Sequence, residues 1–260
     1  RSEDAGGGAS GILGALTSIG STSASDTDIL FEFIRSQRIV EEINRDIHAR
    51  IGPVPENRVL SYLPLAHVFE RAWVEAAALV DGNTHVYFAE SLDTFLQDLQ
   101  RARPTTFISV PRLWLKFQQG VFAKMPPKKL ERLLSIPILG KIVGRKVLKG
   151  LGLDHVLLAG SGSAPIPADL IQWYRRLGLN LVEGYAMTED FAYSHNSTAE
   201  ANAPGYVGVP MPGVEVRISD EGEILIKSPG QMVGYYRAPE LTAEAFTEDG
   251  FFRTGDRGER

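Results

Sequence analysis

A chain of 260 residues, 43% of them hydrophobic, is long enough to bury a substantial core and predicts one or two globular domains. Its net charge of −5 gives no reason to expect a nucleic-acid partner. The lack of cysteine excludes a disulfide framework, a thiol nucleophile and a thiolate-bound zinc ion. No apolar run reaches the length of about 18 residues that a membrane-spanning helix needs, and the start of the chain lacks the layout of a signal peptide. We therefore expect a cytoplasmic protein.

Residues 1–28 consist mostly of Gly, Ser, Ala, Thr and Asp, which is typical of a loop or linker. Residues 29–50 carry isoleucine and phenylalanine at helical spacing, which predicts a helix with a charged outer face. We therefore divide the chain into a flexible region at 1–28, an α/β core at 29–204 and a β-rich segment at 205–260.

After Gly52, short aliphatic strands alternate with amphipathic helices. This alternation predicts an α/β fold with a largely parallel sheet covered by helices. The predicted strands are RVLSYLPL (58–65), NTHVYFA (83–89), TTFISV (105–110), HVLLAG (155–160) and LNLVEG (179–184). The predicted helices are Phe69–Leu79, Leu92–Ala102, Pro111–Phe122 and Ala168–Leu177. Beyond Gly205, GVEVRI and DEGEILIKS predict a β-hairpin around an Asp-Glu-Gly turn.

The segment NLVEGYAMTED (180–190) places a hydroxyl and two carboxylates directly after a buried strand. Open α/β sheets bind ligands at the carboxyl ends of their strands. Thr188 offers a hydroxyl to phosphate oxygens, and Glu189 offers the hard carboxylate oxygen that Mg²⁺ prefers. By themselves, these residues fit either a nucleotide site or an ordinary solvated turn.

Five segments together carry a resemblance that none of them carries alone. They are SYLPLAHVFER (61–71), GSGSAP (160–165), EGYAMTED (183–190), GEILIKSPGQMVGYY (222–236) and DGFFRTGDRGE (249–259). In their order and approximate spacing they resemble the adenylate-forming (AMP-binding) enzymes. Within that superfamily, SYLPLAHVFER and VPRLW (110–114) are most similar to long-chain fatty-acid CoA ligases, whose large N-terminal domain is built from helix-covered α/β sheets.

The resemblance implies ATP, Mg²⁺ and coenzyme A as cofactors and co-substrates, and a fatty acid as the substrate. A carboxylate attacks the α-phosphate of ATP to give acyl-AMP and pyrophosphate, and the thiol of coenzyme A then displaces AMP. Two alternatives stay open. One is a fatty-acyl-AMP ligase that serves a carrier protein, and the other is a non-catalytic module that binds nucleotide or acyl groups.

The resemblance also assigns roles to single residues of the nucleotide site. Tyr185 is expected to pack on adenine, and Asp256 to accept hydrogen bonds from both ribose hydroxyls. Thr188 and Glu189 are expected to act in catalysis, Thr188 on phosphate and Glu189 as the metal ligand. Further nucleotide contacts are expected from Gly160, Ser161, Gly162, Ser163, Ala164, Pro165, Glu183, Gly184, Ala186 and Met187. Glycine lets the backbone approach a flat ring closely.

The acyl-binding residues that the resemblance implies are His67, Trp114 and Ala186. His67 is expected near the acyl and phosphate end of the pocket, with a catalytic role; the alternative is a histidine that starts a helix or belongs to the core. Trp114 either closes a fatty-acid channel or is a core tryptophan. Ala186 stands where the family usually has glycine, and its methyl group would narrow the channel. The other histidines lack metal-ligand spacing: His48, His85, His155 and His195.

Two departures from the family pattern bear on activity. The family's phosphate loop ends in Pro-Lys-Gly, whereas LTSIGSTSASDTD (16–28), at a similar distance from LPLAH, has no lysine and ends in acids. Its backbone amides would still suit phosphate, but its carboxylates would oppose it. The chain also ends at Arg260, before the family's hinge and C-terminal domain with its lysine. We therefore expect a core fragment that binds nucleotide and turns over very slowly.

Residues 124–150 hold eight Lys or Arg residues and one acid, Glu131, within a chain that is acidic overall. Such a segment is either a solvated charged face or a surface that docks on anionic lipid. In the second case, basic residues bind the headgroups while leucines and isoleucines insert beside them. That alternative predicts a peripheral membrane contact.

Overall fold

The computed structural model of the protein describes residues 26–52, 56–198 and 201–259. The chain divides into two compact units, 1–37 and 38–260, and the described part of the first unit is the beginning of a helix. The expected phosphate-loop region lies outside the described residues except for its last three, which belong to that helix. The division at 28 and 204 stays a prediction.

The second unit alternates strands and helices in the predicted order. Helices α1–α8 span Asp26–Ile51, Ala77–Asp81, Phe95–Ala102, Pro111–Lys124, Pro127–Leu134, Leu139–Leu151, Ala168–Leu177 and Pro239–Ala245. Strands β1–β10 span Asn57–Ser61, Thr84–Phe88, Thr106–Ser109, Leu158–Ser161, Leu181–Tyr185, His195–Asn196, Val209–Pro210, Glu215–Ile218, Glu223–Lys227 and Phe252–Arg257. A π-helical segment, Glu70–Ala76, leads into α2, and a 3-10 turn covers Thr188–Asp190.

These strands form three sheets. β1 and β2 are a parallel pair. β3, β4 and β5 are parallel neighbours, and β6 and β7 extend their sheet in antiparallel fashion. β8, β9 and β10 form an antiparallel sheet in the order β10-β9-β8. The predicted α/β class, with its parallel helix-covered strands and its β-rich hairpin segment, is confirmed.

Some elements were not predicted, and each has a physical reason. β6 and β7 are two residues long, so no alternating pattern can reveal them. α8 is seven residues long and none of them is buried, so its sequence carries no repeating apolar pattern from which a helix could be predicted. α5 and α6 contain or adjoin prolines and glycines, which resemble helix breakers in a single sequence.

The main core lies between the parallel strands and the helices around them. Its largest fully buried side chains include Phe107 of β3, Trp114 of α4, Tyr174 of α7 and Leu181 of β5. Burial of each large apolar side chain contributes about 1.5–3 kcal/mol to the free energy of unfolding. Residues of β4 and β5 belong to this one core, which therefore helps to hold the two strands together. In the part of the chain that the structure describes, no helix is both long enough and apolar enough to cross a membrane.

Candidate nucleotide site

The two loops that the resemblance assigns to the nucleotide leave the same edge of one sheet. β4 and β5 are parallel, with Gly160 opposite Val182 and Ser161 opposite Glu183. The loop that begins at Gly162 and the loop that begins after Tyr185 therefore both start at the carboxyl ends of neighbouring strands. This is the edge at which open α/β sheets bind ligands.

Tyr185 and Asp256 are in direct contact although 71 residues separate them. The phenol of Tyr185, at the end of β5, donates a hydrogen bond of 2.7 Å to Asp256 Oδ2 on β10. Burial of the phenol raises the pKa of Tyr185, and the hydrogen bond to Asp256 and its negative charge raise it further. The structure thus brings together the two residues that were expected to hold adenine and ribose; their roles in binding stay predictions.

Glu189 has a second phenol as its partner. The hydroxyl of Tyr235 donates a hydrogen bond of 3.0 Å to Glu189 Oε1, and the backbone amide of Met232 donates to the Glu189 carbonyl at 2.6 Å. Thr188, one residue earlier on the same 3-10 turn, is exposed. The turn therefore presents a carboxylate and a hydroxyl side by side, as the sequence segment indicates.

Asp190 shapes this turn from the buried side. Its Oδ1 accepts hydrogen bonds from the amides of Met187 at 3.0 Å and Tyr193 at 3.3 Å, whereas its Oδ2 has no partner among the described residues. Burial raises the pKa of Asp190 to about 6, against the opposing effect of the amide hydrogen bonds. No motif in the sequence indicates a role for Asp190.

A cleft of about 530 Å³ lies between this turn and β10, which is within the usual size range of small-molecule sites, roughly 300–1,000 Å³. It is lined by Met187, Glu189, Glu223, Tyr235, Leu241, Glu244, Ala245, Phe252, Arg253, Thr254, Gly255 and Asp256. Four of these residues are acids and one, Arg253, is basic. A triphosphate therefore needs an accompanying cation to enter, because like charges repel strongly at such distances.

The donor set in the cleft fits a magnesium ion that arrives with the nucleotide. No group of three or more His, Asp or Glu side chains in the described part of the chain could hold a metal ion. Mg²⁺ is commonly held by one or two carboxylates together with substrate phosphates. Glu189 supplies one such carboxylate, so the residues present suit a substrate-borne ion.

The GSGSAP loop is anchored at its start and exposed at its tip. A methyl group on Gly160 would lie 3.0 Å from Ile108 Cγ1, so glycine allows close packing against this side chain of β3. Ser161 is buried, and its hydroxyl has no partner among the described residues. Residues 163–165 are exposed, and Ser163 adopts a left-handed conformation with φ of 67°. Contact of this loop with adenine stays a prediction.

The carboxylate of Glu183 binds backbone amides from two different loops. Its Oε2 accepts a hydrogen bond of 2.9 Å from the amide of Gly205, and its Oε1 accepts one of 3.4 Å from the amide of Ile166. Because both carboxylate oxygens are engaged and the side chain is buried, the geometry gives Glu183 a structural role. Its expected contact with nucleotide stays a prediction.

His67 lies at the start of a helix, which is one of the two places that the sequence allowed. Its Nδ1 accepts a hydrogen bond of 3.3 Å from the amide of Phe69. Its neighbour Glu70 is buried, and burial raises the pKa of that carboxyl group despite a hydrogen bond of 3.3 Å from the amide of Leu63. The acyl-binding and catalytic roles of His67 stay predictions.

Trp114 lies inside the core. Its side chain is fully buried, its indole N–H donates a hydrogen bond of 3.1 Å to the Gly160 carbonyl, and the hydroxyl of Tyr174 donates to the Trp114 carbonyl at 2.7 Å. This is the environment of a core tryptophan, the alternative that the sequence left open. Ala186 is partly buried against the cluster that contains Trp73 and Tyr193. Acyl contact by Trp114 and Ala186 stays a prediction.

Two neighbours of the site were missed from the sequence. Tyr235 belongs to the recognised segment GEILIKSPGQMVGYY, but nothing in that segment indicates a partner 46 residues away. His195 pairs with Tyr185 across β5 and β6, their ring centroids lie 5.9 Å apart, and burial lowers the pKa of the imidazole. Only the strand pairing reveals this contact.

Comparison with known proteins places this geometry in a family. A family model described as "AMP-binding enzyme" matches residues 34–236. The chain is 31% identical over 237 residues to long-chain-fatty-acid–CoA ligase 1 of Homo sapiens, which covers 80% of this chain and 34% of that protein. It is 32% identical over 226 residues to long-chain-fatty-acid–CoA ligase FadD15 of Mycobacterium bovis, which covers 77% and 37%. The chain thus spans about a third of the length of these relatives.

Solved structures agree with this placement. The chain is 27% identical to MatB from Rhodopseudomonas palustris, solved with ATP bound, with a TM-score of 0.61 over 85% of this chain and 41% of that one. The A-PCP didomain of carboxylic acid reductase from Segniliparus rugosus, solved in complex with AMP, is 29% identical with a TM-score of 0.63, over 84% and 31%. The fold is thus an α/β domain of the adenylate-forming type. The family match covers most of the sequence, and the chain belongs to the AMP-binding enzyme family.

Proposed function

We propose that this chain forms the nucleotide- and acyl-binding core of an AMP-forming ligase. The ligase converts a long-chain fatty acid to acyl-AMP with ATP and then to acyl-CoA with coenzyme A. The observation that carries the proposal is the pairing of Tyr185 with Asp256 beside a cleft that Asp256 and Glu189 both line. Identity of 31% to a long-chain ligase over 237 residues supports a fatty acid as the substrate class.

Asp256 is suited to bind a pair of hydroxyl groups. It is exposed on β10, and its described partner on Oδ2 is the phenol of Tyr185. A ribose diol can replace that phenol, because an ionised carboxylate has room for several donors and forms stronger hydrogen bonds with them than a neutral acceptor does. The aromatic ring of Tyr185 then offers a face on which adenine can stack.

Glu189 and Thr188 would act on the phosphates. Mg²⁺, when bound, supplies positive charge between the carboxylate and the phosphate oxygens. Glu189 would hold that ion, and the hydroxyl of Thr188 would donate to a phosphate oxygen. The contribution of these residues is to position two anions and to stabilise charge as the phosphorus centre is attacked.

We propose that turnover by this chain is slow. The cleft contains one basic side chain, Arg253, and residues 16–28 contain no lysine. Loss of one preorganised donor to a developing anion typically costs about 10²- to 10³-fold in rate. A carrier protein as the acyl acceptor is the second candidate, and the similarity to an A-PCP didomain favours it. A cytoplasmic location stays part of the proposal.

The test is detection of acyl-AMP and pyrophosphate after incubation with ATP, Mg²⁺ and palmitic acid. We expect acyl-AMP to form slowly, to need Mg²⁺, and to be lost in Asp256→Asn. The matched control Asp220→Asn changes an exposed acid outside the cleft and should leave the yield unchanged. Nucleotide binding without acyl-AMP would favour the non-catalytic alternative, and rapid turnover would show that a lysine within residues 16–28 is not needed.

A further inference from the structure

Helices α5 and α6 form a helical hairpin that carries the basic segment of the chain. They pack against each other, and residues 135–138 connect them. We call residues 127–151 the α5–α6 hairpin. α6 also packs on α3 and α7, so the hairpin is attached to the main core on one side and open to solvent on the other.

The connection and the start of α6 expose large apolar side chains. Ile138 is 75% exposed and Ile142 is 60% exposed, and Ile136 and Leu139 beside them are also exposed. Single exposed apolar residues are normal on a protein surface, but four within seven positions form a patch. Such a patch, when rimmed by charged residues, marks an interaction site.

The exposed face of α6 continues from this patch into basic residues. Ile142, Arg145 and Lys149 are spaced by three and four positions, which places them on one face of α6, and Ile138 directly precedes the helix. Arg145 and Lys149 are exposed, and in the described part of the chain neither of them forms an ion pair. The face therefore has an apolar end and a basic end.

The tip of the hairpin is held in this arrangement by backbone packing. A methyl group on Gly140 would collide with the Leu134 carbonyl, and one on Gly144 would collide with the Leu177 carbonyl, so both glycines allow close contact. Ile138 has a φ of 69° and a ψ of −57° at the centre of a γ-turn, which the amide of Leu139 closes with a hydrogen bond of 2.8 Å to the Pro137 carbonyl. This conformation is strained for a β-branched residue and persists only where the surroundings enforce it. The close packing of α6 against Leu134 and Leu177 accompanies the exposure of Ile138 and Ile142.

We propose that this face docks on an anionic lipid surface. The apolar patch inserts among the acyl chains, while Arg145 and Lys149 contact the headgroups, with further basic residues of α5 and α6 around them. Charge complementarity identifies the occupant, since the hairpin is strongly basic within a chain of net charge −5. A second copy related by a two-fold axis fits less well, because it would bring like charges together. The proposal does not depend on the proposed function.

Co-sedimentation of the full chain with lipid vesicles tests the proposal. The protein should sediment with vesicles of phosphatidylcholine and phosphatidylserine, and a much smaller fraction should sediment with pure phosphatidylcholine. Added salt should lower the fraction that sediments with the anionic vesicles. Arg145→Gln with Lys149→Gln should reduce the partition coefficient about fivefold for each charge removed. Arg145→Lys keeps the charge and should retain binding.

A second pair of variants tests insertion of the apolar patch. Ile138→Asn with Ile142→Gln should lower partitioning about tenfold or more, because polar side chains do not insert among acyl chains. The matched control is Leu79→Gln, which changes a highly exposed leucine outside the hairpin and should leave partitioning unchanged. Circular dichroism checks that each variant is folded.

Three outcomes would overturn the proposal. One is equal recovery on neutral vesicles, and another is unchanged binding by the Ile138→Asn, Ile142→Gln protein. The third is a dimer, observed by sedimentation equilibrium in the absence of lipid, that the Ile138→Asn, Ile142→Gln substitutions abolish. That result would assign the face to a second copy of the chain.

Discussion

The cleft beside β10 and the core around Trp114 were both assigned to ligand binding by resemblance, but their polar groups have different partners. In the cleft, phenols of Tyr185 and Tyr235 donate to the carboxylates of Asp256 and Glu189 at solvent-accessible positions. Around Trp114, the indole N–H is paired with a buried backbone carbonyl. A ligand can replace an exposed side-chain partner, whereas replacing a buried backbone partner disrupts the fold. The two regions therefore differ in whether a ligand could replace the partner of a polar side chain, and on that ground we expect the cleft and not Trp114 to bind ligand.

The largest effect should come from removing the side chain of Trp114 from the core. Trp114→Ala should lower the free energy of unfolding by about 3–5 kcal/mol, because it leaves a cavity and removes the indole hydrogen bond to the Gly160 carbonyl. Urea denaturation measures this loss, and Trp114→Phe, which retains most of the volume, should lose less. Unchanged stability together with altered discrimination among fatty acids of different length would restore an acyl-channel role.

The next effect concerns pH and the buried acid beneath the Thr188–Asp190 turn. The pKa of Asp190 is raised to about 6 in the folded protein from 3.8, so the folded state binds the proton more tightly than the unfolded state does. The free energy of unfolding should therefore fall as pH rises from about 4 to about 6, by at most about 3 kcal/mol, and then level off.

Asp190→Asn is the variant that isolates this effect. It keeps an oxygen to accept from the amides of Met187 and Tyr193 but cannot ionise. Its stability curve should lack the fall between pH 4 and 6, and at pH 7 it should be at least as stable as the parent. A curve parallel to that of the parent would mean that another group titrates in this range.

The smallest effect should come from removing the phenol that donates to Glu189 in the cleft. Tyr235→Phe removes the hydrogen bond to Glu189 Oε1 and frees that oxygen for a metal ion. We expect the Mg²⁺ concentration that half-saturates ATP binding to fall about two- to fivefold, with stability nearly unchanged. Tyr236→Phe, at the adjacent exposed tyrosine, should change neither quantity. A shift in both variants would point to a general change of the loop.

Much of the fold could be predicted because its elements have strong local patterns. α7 begins and ends at the predicted residues, Ala168 and Leu177, since its apolar positions recur at helical spacing and Gly178 ends it. The short strands β6 and β7 could not be predicted, because β6 exists through its pairing with β5 and β7 through its pairing with β6, not through their own residues.

The site divides in the same way. Asp256 and Tyr185 could be named from sequence motifs, but their contact depends on how the β10 sheet packs on β5. Tyr235, Asp190 and His195 are ordinary residues in the sequence and gain significance through burial or a partner that is distant along the chain. Resemblance could not decide between core and channel for Trp114, because both environments select a large aromatic side chain.

The most direct test of the central claim is isothermal titration of the chain with ATP and Mg²⁺. The cleft account predicts binding that needs Mg²⁺, that weakens about 10- to 100-fold in Asp256→Asn through loss of charge-assisted hydrogen bonds, and that is unchanged in Asp220→Asn. Absence of any nucleotide binding, or equal affinity in all three proteins, would contradict the claim that the cleft between the Thr188–Asp190 turn and β10 is the nucleotide site.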